Sequence, residues 1–336
     1  MARIFDWRDA PAGGLAGRRL AIIGYGNQGR AHAANLRDEG LAPLIGARAG
    51  GRAWNSAREA GFETLAPAAA AAAADVVLLL TPDETQAALY ASEIRPQLRP
   101  GAALGFAHGF AVGFGLLDPG PGIDVFLVAP KAQGRMVRRL YCEGRGAAAL
   151  VAVHQDATGG AWQTALAYAA ALGCLRTGAL ATSFREEAVS DLFGEQAVLC
   201  GGLSELVRAA FDTLVARGYA PEIAYFECLH EVKILADLLY AKGIDGMRGH
   251  ISGTALYGDL SRGKRVIDAA LRERLAGLLA EIESGEFARE WVAEAAAGAA
   301  RLAALRAADA AHPIEAAGRR VRSLMPWLAD DEEAAR

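Results

Sequence analysis

Leu20-Ala21-Ile22-Ile23-Gly24-Tyr25-Gly26-Asn27-Gln28-Gly29 is the stretch that decides the fold of this chain. Four apolar residues in a row, two of them β-branched, read as a short buried strand. The strand runs directly into Gly-x-Gly-x-x-Gly, and residues 28–39 then carry a helical pattern. Strand, glycine turn and helix in that order form the context in which this motif binds a dinucleotide; without that context it is weak, because glycine-rich turns are common. Gly24 permits the tight turn, Gly26 lets the backbone approach a pyrophosphate, and Gly29 lets helix and strand pack closely. The helix N-terminus offers unpaired N–H groups and partial positive charge to the phosphates.

Outward from this motif, residues 41–45, 75–80, 102–106, 125–128 and 148–153 read as further strands, with helical stretches such as 54–60 between them. Short continuous apolar runs alternating with helices indicate a doubly wound parallel sheet covered on both faces. After Thr182 strand-like runs vanish. Helical periodicity takes over through 191–202, 203–217, 224–241, 264–284 and 287–310. The boundary is expected between Gly178 and Ser183, giving a nucleotide-binding α/β domain over residues 1–182 and an all-α domain over 183–336. The alanine runs 68–74 and 295–300 read as helix, since alanine is the best helix former.

The chain has 336 residues, enough for two domains, and is 53% hydrophobic and 22% charged. Its formal net charge of −4 disfavours nucleic acid, whose binding rests on a basic surface. A small anionic substrate needs only a local positive site and stays open. The four cysteines, Cys142, Cys174, Cys200 and Cys228, form no C-x-x-C pair and read as reduced thiols. Residues 1–9 lack the apolar core of a signal peptide. The longest apolar run, 65–80, is broken by Pro67 and Asp75 and is too short to span a bilayer. The expectation is a cytoplasmic protein without membrane contact.

The end of the second strand should carry an acid if the ribose is that of NAD. Residues 46–52 hold none. Arg48 and Arg52 could grip the 2′-phosphate of NADP; equally they could stack on adenine or be solvated. Further on, Asp191 and Glu195 stand at i and i+4, as do Glu227 and Glu231. On a helix both members of such a pair share one face. The first pair has apolar neighbours, where an unpaired buried carboxylate is costly. Hard oxygen ligands on Mg²⁺ would remove that cost. Either pair alone reads more readily as a solvated helix face. Two pairs in a helical region attached to a nucleotide domain favour a metal, and spacing alone does not decide it.

Several segments together resemble ketol-acid reductoisomerase, the acetohydroxy acid isomeroreductase family, in its short form. They include Ile22–Gly29 itself, Leu80-Thr81-Pro82-Asp83-Glu84, Gly105-Phe106-Ala107-His108-Gly109-Phe110 and Val128-Ala129-Pro130-Lys131. Val153-His154-Gln155-Asp156, Asp191-Leu192-Phe193-Gly194-Glu195-Gln196, Glu227-Cys228-Leu229-His230-Glu231, Ile251-Ser252, Gly285–Trp291 and His312-Pro313-Ile314-Glu315 continue the match in order, nearly end to end.

The resemblance implies a Rossmann domain followed by a knotted helical domain. It implies a homodimer with a shared active site, open to further assembly, and a small hydroxy acid substrate. Asp191 and Glu195 of one subunit, with Glu227 and Glu231 of the other, would hold two Mg²⁺ ions. Catalytic roles would fall to His108, Lys131, Glu195, Glu231 and Ser252, with Ser252 on the substrate carboxylate. NAD or NADP would contact Gly24, Tyr25, Gly26, Asn27, Gln28, Gly29, Arg48, Arg52, Thr81, Pro82, Asp83, Gln86, His108 and Gly134. The family chemistry is migration of an alkyl group between adjacent carbons, then hydride transfer to the new ketone.

The sequence departs from the family at Ala132-Gln133-Gly134-Arg135, where Gly-Pro-Gly-His is usual, and at Ala111-Val112-Gly113, where Asn-Ile-His is usual. Leu256 replaces a glutamate, and Gly51 and Ala53 replace hydroxyls that would read a 2′-phosphate. With the acids and the glycines retained, these changes around the pocket suggest an enzyme remodelled for specialised metabolism. Such an enzyme would oxidise a dihydroxy acid to a ketone and close a cyclopropanol ring through a metal-stabilised enolate. Ordinary ketol-acid reductoisomerase in valine and isoleucine synthesis is the alternative. A non-catalytic dinucleotide sensor is a second, which would have no use for the four acids.

Overall fold

A computed structural model describes residues 1–328; positions 329–336, the end of the expected helical domain, lie outside the described residues. Contacts group the chain into two units, Met1–Ser190 and Asp191–Arg336. The first turns of helix Phe184–Gly194 belong to the first unit, where Phe184, Glu187 and Ala188 are buried.

The first unit is built on one sheet. Its strands are β1 (Ile4–Phe5), β2 (Leu20–Ile23), β3 (Leu44–Gly46), β4 (Thr64–Leu65), β5 (Val76–Leu79), β6 (Ala103–Phe106), β7 (Asp124–Pro130), β8 (Ala149–Gln155) and β9 (Ala179–Ala181). They lie in the order β1-β9-β8-β7-β6-β5-β2-β3-β4. From β4 across to β7 every pairing is parallel. The order reverses beside β2, which is where such sheets open a crevice for ligands. Strands β2, β5, β6 and β7 are buried along their whole length between two apolar layers, as expected of continuous apolar runs.

Two pairings are antiparallel, β7 with β8 and β1 with β9. The connection from β7 does not cross the sheet. Helix Gly134–Cys142 packs against helix Asn27–Asp38 instead, and Lys131 N–H donates to Ala148 O at 2.8 Å. The chain therefore re-enters where it left, and β8 runs back along β7.

The buried polar groups of helix Asn27–Asp38 are bonded to helix Ala161–Ala171 and its end. His32 Nδ1 lies 2.8 Å from Tyr168 Oη, and Asn35 Nδ2 donates to Leu172 O at 3.2 Å. Burial pushes the His32 imidazole down to about 3, so it is neutral at pH 7.

The second unit is helical. Two stretches expected as single helices are broken. Helix Gly253–Val266 stops at Ile267, and Asp268 caps the next, Ala269–Glu283, by accepting the Leu271 N–H at 2.9 Å. Residues 287–310 are two helices, Glu286–Ala296 and Ala300–Ala310. The alanine run 295–300 is thus not continuous helix. Gly298 and Ala299 both adopt positive φ, +90° and +56°, and turn the chain. The run 68–74 behaves as expected, with helix Pro67–Ala72 starting on its proline.

The core of this unit is small, centred on Val207, Phe211, Tyr225, Ile314 and Val321. Helices Val232–Arg248, Gly253–Val266 and Ala300–Ala310 bury no residue within the chain. No helix among the described residues is long and apolar enough to cross a membrane.

Candidate active site

The glycine loop shows why each glycine is there. Gly24 has φ +104°, and a Cβ on it would lie 2.7 Å from Leu80 O. A Cβ on Gly29 would lie 2.3 Å from Gly24 O. A Cβ on Gly26 would meet nothing within 4 Å. No protein packing demands that glycine. It faces a cavity of about 940 Å³ at the switch point of the sheet.

Gly24, Tyr25, Gly26, Asn27, Arg48, Arg52, Thr81 and Pro82 line this cavity. The remaining expected cofactor residues do not; several frame it. Gln28 Nε2 donates to Ala132 O at 3.0 Å. A Cβ on Gly134 would lie 2.0 Å from Asn27 O, so only glycine lets helix Gly134–Cys142 seat against the loop. Gln86 is buried, and its Nε2 donates to Thr81 O at 2.9 Å and Asp83 Oδ1 at 3.1 Å. The cavity fits a dinucleotide. Its open floor is at Gly26, Thr81 Oγ1 is buried without a hydrogen-bond partner, and Arg48 and Arg52 have no anionic partner among the described residues.

At the ends of the next two strands three side chains meet. His108 follows β6 and Lys131 follows β7. Both approach Glu187 of helix Phe184–Gly194, which is fully buried. Glu187 Oε1 accepts from Lys131 Nζ at 2.7 Å, and Oε2 accepts from the Gly109 N–H at 2.6 Å. His108 Nε2 is 3.8 Å from Glu187 Oε2, and its Nδ1 is 3.1 Å from Asp83 Oδ2. Asp83, expected at the cofactor, thus holds the histidine. Glu187 was missed by sequence reasoning. Its signal was available: Glu187, Asp191 and Glu195 stand at i, i+4 and i+8.

Of the four acids expected at metal, Asp191 sits on regular helix and the other three lie in or directly after π-helical turns. Helix Phe184–Gly194 passes into a π-helical turn, Glu195–Leu199, and Glu227 lies in another, Phe226–His230, with Glu231 next in line. The Cys200 N–H reaches Glu195 O at 2.9 Å and the Glu231 N–H reaches Phe226 O at 3.3 Å, the i to i−5 bonds of that geometry. Asp191 is half-buried and the other three are exposed within the single chain, so their apolar neighbours in sequence do not enclose them. The Glu227 and Glu231 carboxylates have no hydrogen-bond or ion-pair partner among the described residues, which leaves hard oxygen donors available, the kind Mg²⁺ takes. Ser252 is exposed and caps helix Gly253–Val266, accepting the Ala255 N–H at 3.2 Å.

One departure from the family proves to be interior packing. Ala111 and Val112 are buried, and a Cβ on Gly113 would lie 2.8 Å from Phe184 O. These residues seat the start of helix Phe184–Gly194, which carries Glu187, and do not line the nucleotide cavity.

Residues 14–178 match the family described as acetohydroxy acid isomeroreductase, NADPH-binding domain, and residues 184–327 match ketol-acid reductoisomerase, C-terminal domain. Among solved structures, an NADH-preferring ketol-acid reductoisomerase from an uncultured archean is 43% identical, with TM-score 0.92 over 96% of this chain and 99% of that one. A semialdehyde dehydrogenase NAD-binding protein from Cupriavidus necator, in complex with calcium and NAD, shares 22% identity and TM-score 0.58 over 79% of this chain and 99% of that one, a likeness of fold alone. With a nucleotide crevice and a helical half that both match, the chain belongs to the ketol-acid reductoisomerase family of NAD(P)-dependent oxidoreductases.

Proposed function

We propose that this protein catalyses the reductoisomerase reaction itself: alkyl migration within a small 2-hydroxy-3-keto acid, then reduction of the new ketone with NADH as the preferred donor. The observation that carries this reading is the buried Glu187 tying Lys131 and the His108 strand end together beside the nucleotide crevice. Migration requires that the substrate hydroxyl lose a proton and that the neighbouring oxygen gain one. Lys131 and His108, held by Glu187 and Asp83, are groups that can hold and move those protons. Asp191, Glu195, Glu227 and Glu231 would bind two Mg²⁺ ions, and Ser252 the substrate carboxylate. Mg²⁺, when bound there, supplies positive charge to developing alkoxide oxygens. NADH is preferred because Gly51 and Ala53 offer no hydroxyl to a 2′-phosphate, and the 43% identical relative is NADH-preferring.

We further propose a homodimer with a shared active site. Its support is the apolar surface left open on the helical unit, including Ile234, Tyr240, Ile244, Tyr257 and Leu260. Patches of this kind on a single chain mark association surfaces.

A second reading, the remodelled cyclopropanol-forming enzyme, rests on Leu256, one helical turn beyond Ser252, where a glutamate is usual. One assay separates the readings. The full-length protein is given 2-acetolactate, NADH and Mg²⁺, and absorbance is followed at 340 nm. The expected result is NADH oxidation that stops with EDTA, with sedimentation at twice the 35.1 kDa chain mass. Inert 2-acetolactate, with NAD⁺ reduced by a dihydroxy acid, would instead select remodelling. Nucleotide binding without turnover of any hydroxy acid would select the sensor.

A further inference from the structure

The nucleotide cavity has one wall that the glycine motif and the arginine loop leave unexplained. Thr85, Leu89 and Glu93 stand at i, i+4 and i+8, and all three line it. They belong to helix Asp83–Leu89 and the π-helical turn Tyr90–Ile94 that continues it. The turn is anchored from behind. Tyr90 and Ile94 are buried, and Tyr90 Oη donates to Pro119 O at 2.7 Å. Glu93 is the one carboxylate among the residues lining the cavity, facing a space that also holds Arg30, Arg48 and Arg52. It has no hydrogen-bond or ion-pair partner among the described residues.

A carboxylate accepts hydrogen bonds and repels anions, so it does not serve the pyrophosphate. The ribose hydroxyls belong at the end of the second strand of the motif, which here is the Gly46–Arg52 side of the cavity. The nicotinamide has to reach the hydride acceptor beside His108 and Lys131, at the ends of β6 and β7, so what remains for this wall is the adenine. Its flat faces suit apolar Leu89 and the guanidiniums that also line the cavity, and its exocyclic 6-amino group is a donor at the edge. We infer that Glu93 reads the adenine base, its carboxylate accepting a hydrogen bond from the 6-amino group. The inference rests on the cavity being the cofactor site.

The test measures binding of NAD⁺ and of its 1,N⁶-etheno analogue to the full-length protein by calorimetry, without substrate. In the analogue the 6-nitrogen carries no hydrogen. Glu93→Ala is expected to weaken NAD⁺ by about tenfold, the worth of one hydrogen bond to a charged group. The same change is expected to leave the etheno analogue within about twofold, because no bond to it is lost. Glu93→Gln keeps an acceptor oxygen and is expected to lose less on NAD⁺ than Glu93→Ala. A lost charge would shift both nucleotides alike, so only the difference between them reports the bond. Equal weakening of both nucleotides, or no change in either, overturns the assignment. If the unmutated protein binds neither, the cofactor site itself is wrong, which is a separate and recognisable failure.

Discussion

Exchanging Glu187 for glutamine is expected to cut turnover by roughly 10²–10⁴-fold, the range lost with a group that controls proton transfer. NADH affinity should stay within about threefold, since Glu187 does not line the nucleotide cavity. Glu187 accepts two hydrogen bonds with two oxygens, one from the Gly109 N–H and one from the Lys131 ammonium. Glutamine keeps one acceptor and turns the other into a donor. Whichever way the amide faces, one N–H group is aimed at another, and the Glu187 charge beside Lys131 is gone. Glu187 is buried but Lys131 is a third exposed, so the mismatch costs about 1–3 kcal/mol and the melting temperature should fall as well. Glu187→Met combined with Lys131→Met separates the two effects. Stability should recover only in part, because the apolar pair removes the charge mismatch but leaves the buried Gly109 N–H without its acceptor, and turnover should not recover at all. Turnover by Glu187→Gln within about tenfold of the unmutated enzyme would reduce the cluster to a structural anchor.

What could be read from the sequence was what is written in short-range pattern. The continuous runs 20–23, 76–79 and 125–128 announced strands buried on both faces, and the glycine motif marked the crevice beside the first of them. β1, β4 and β9 have two or three residues each, too few for any period to show. The reversed direction of β8 is not encoded within β8. It follows from helix Gly134–Cys142 docking on helix Asn27–Asp38, which Gly134 permits. The break at Gly298–Ala299 was masked by alanines that favour helix on either side.

The site was partly legible for a related reason. Pairs at α-helical spacing single out Asp191 with Glu195 and Glu227 with Glu231, but not Glu187, which stands one turn earlier and completes a sequence stripe with Asp191 and Glu195. The π-helical turns were invisible to a 3.6-residue period. Gly201-Gly202 is the trace of one of them, Glu195–Leu199. A Cβ at either would lie 2.5 Å from Gln196 O or 2.0 Å from Ala197 O, the carbonyls five residues back that a π turn brings forward. Mid-helix glycines cost stability relative to alanine, and here the distorted turn requires them.

Two glycine-to-alanine changes, a few residues apart in space and opposite in mechanism, test the crevice most directly. Gly26→Ala is expected to fold with a melting temperature near that of the unmutated protein. Gly26 has φ −88°, open to any residue, and its new methyl group meets no protein atom within 4 Å. The methyl occupies the space where the pyrophosphate backbone must come closest, so NADH binding should weaken by about a hundredfold or more, the scale on which a misplacement of about 1 Å is felt. Gly134→Ala reaches the same loss of binding by another route. Its methyl would lie 2.0 Å from Asn27 O and 2.5 Å from Asn27 C. Backbone stands on both sides of that contact, so neither can yield by changing rotamer. Helix Gly134–Cys142 has to back away from the glycine loop, costing about 1–3 kcal/mol of stability, as overpacking does. Fluorescence titration with NADH and thermal melting, run on both variants, therefore give different pairs of results. Retained NADH affinity in a well-folded Gly26→Ala would mean that no phosphate passes over this loop, and the nucleotide would have to be sought elsewhere.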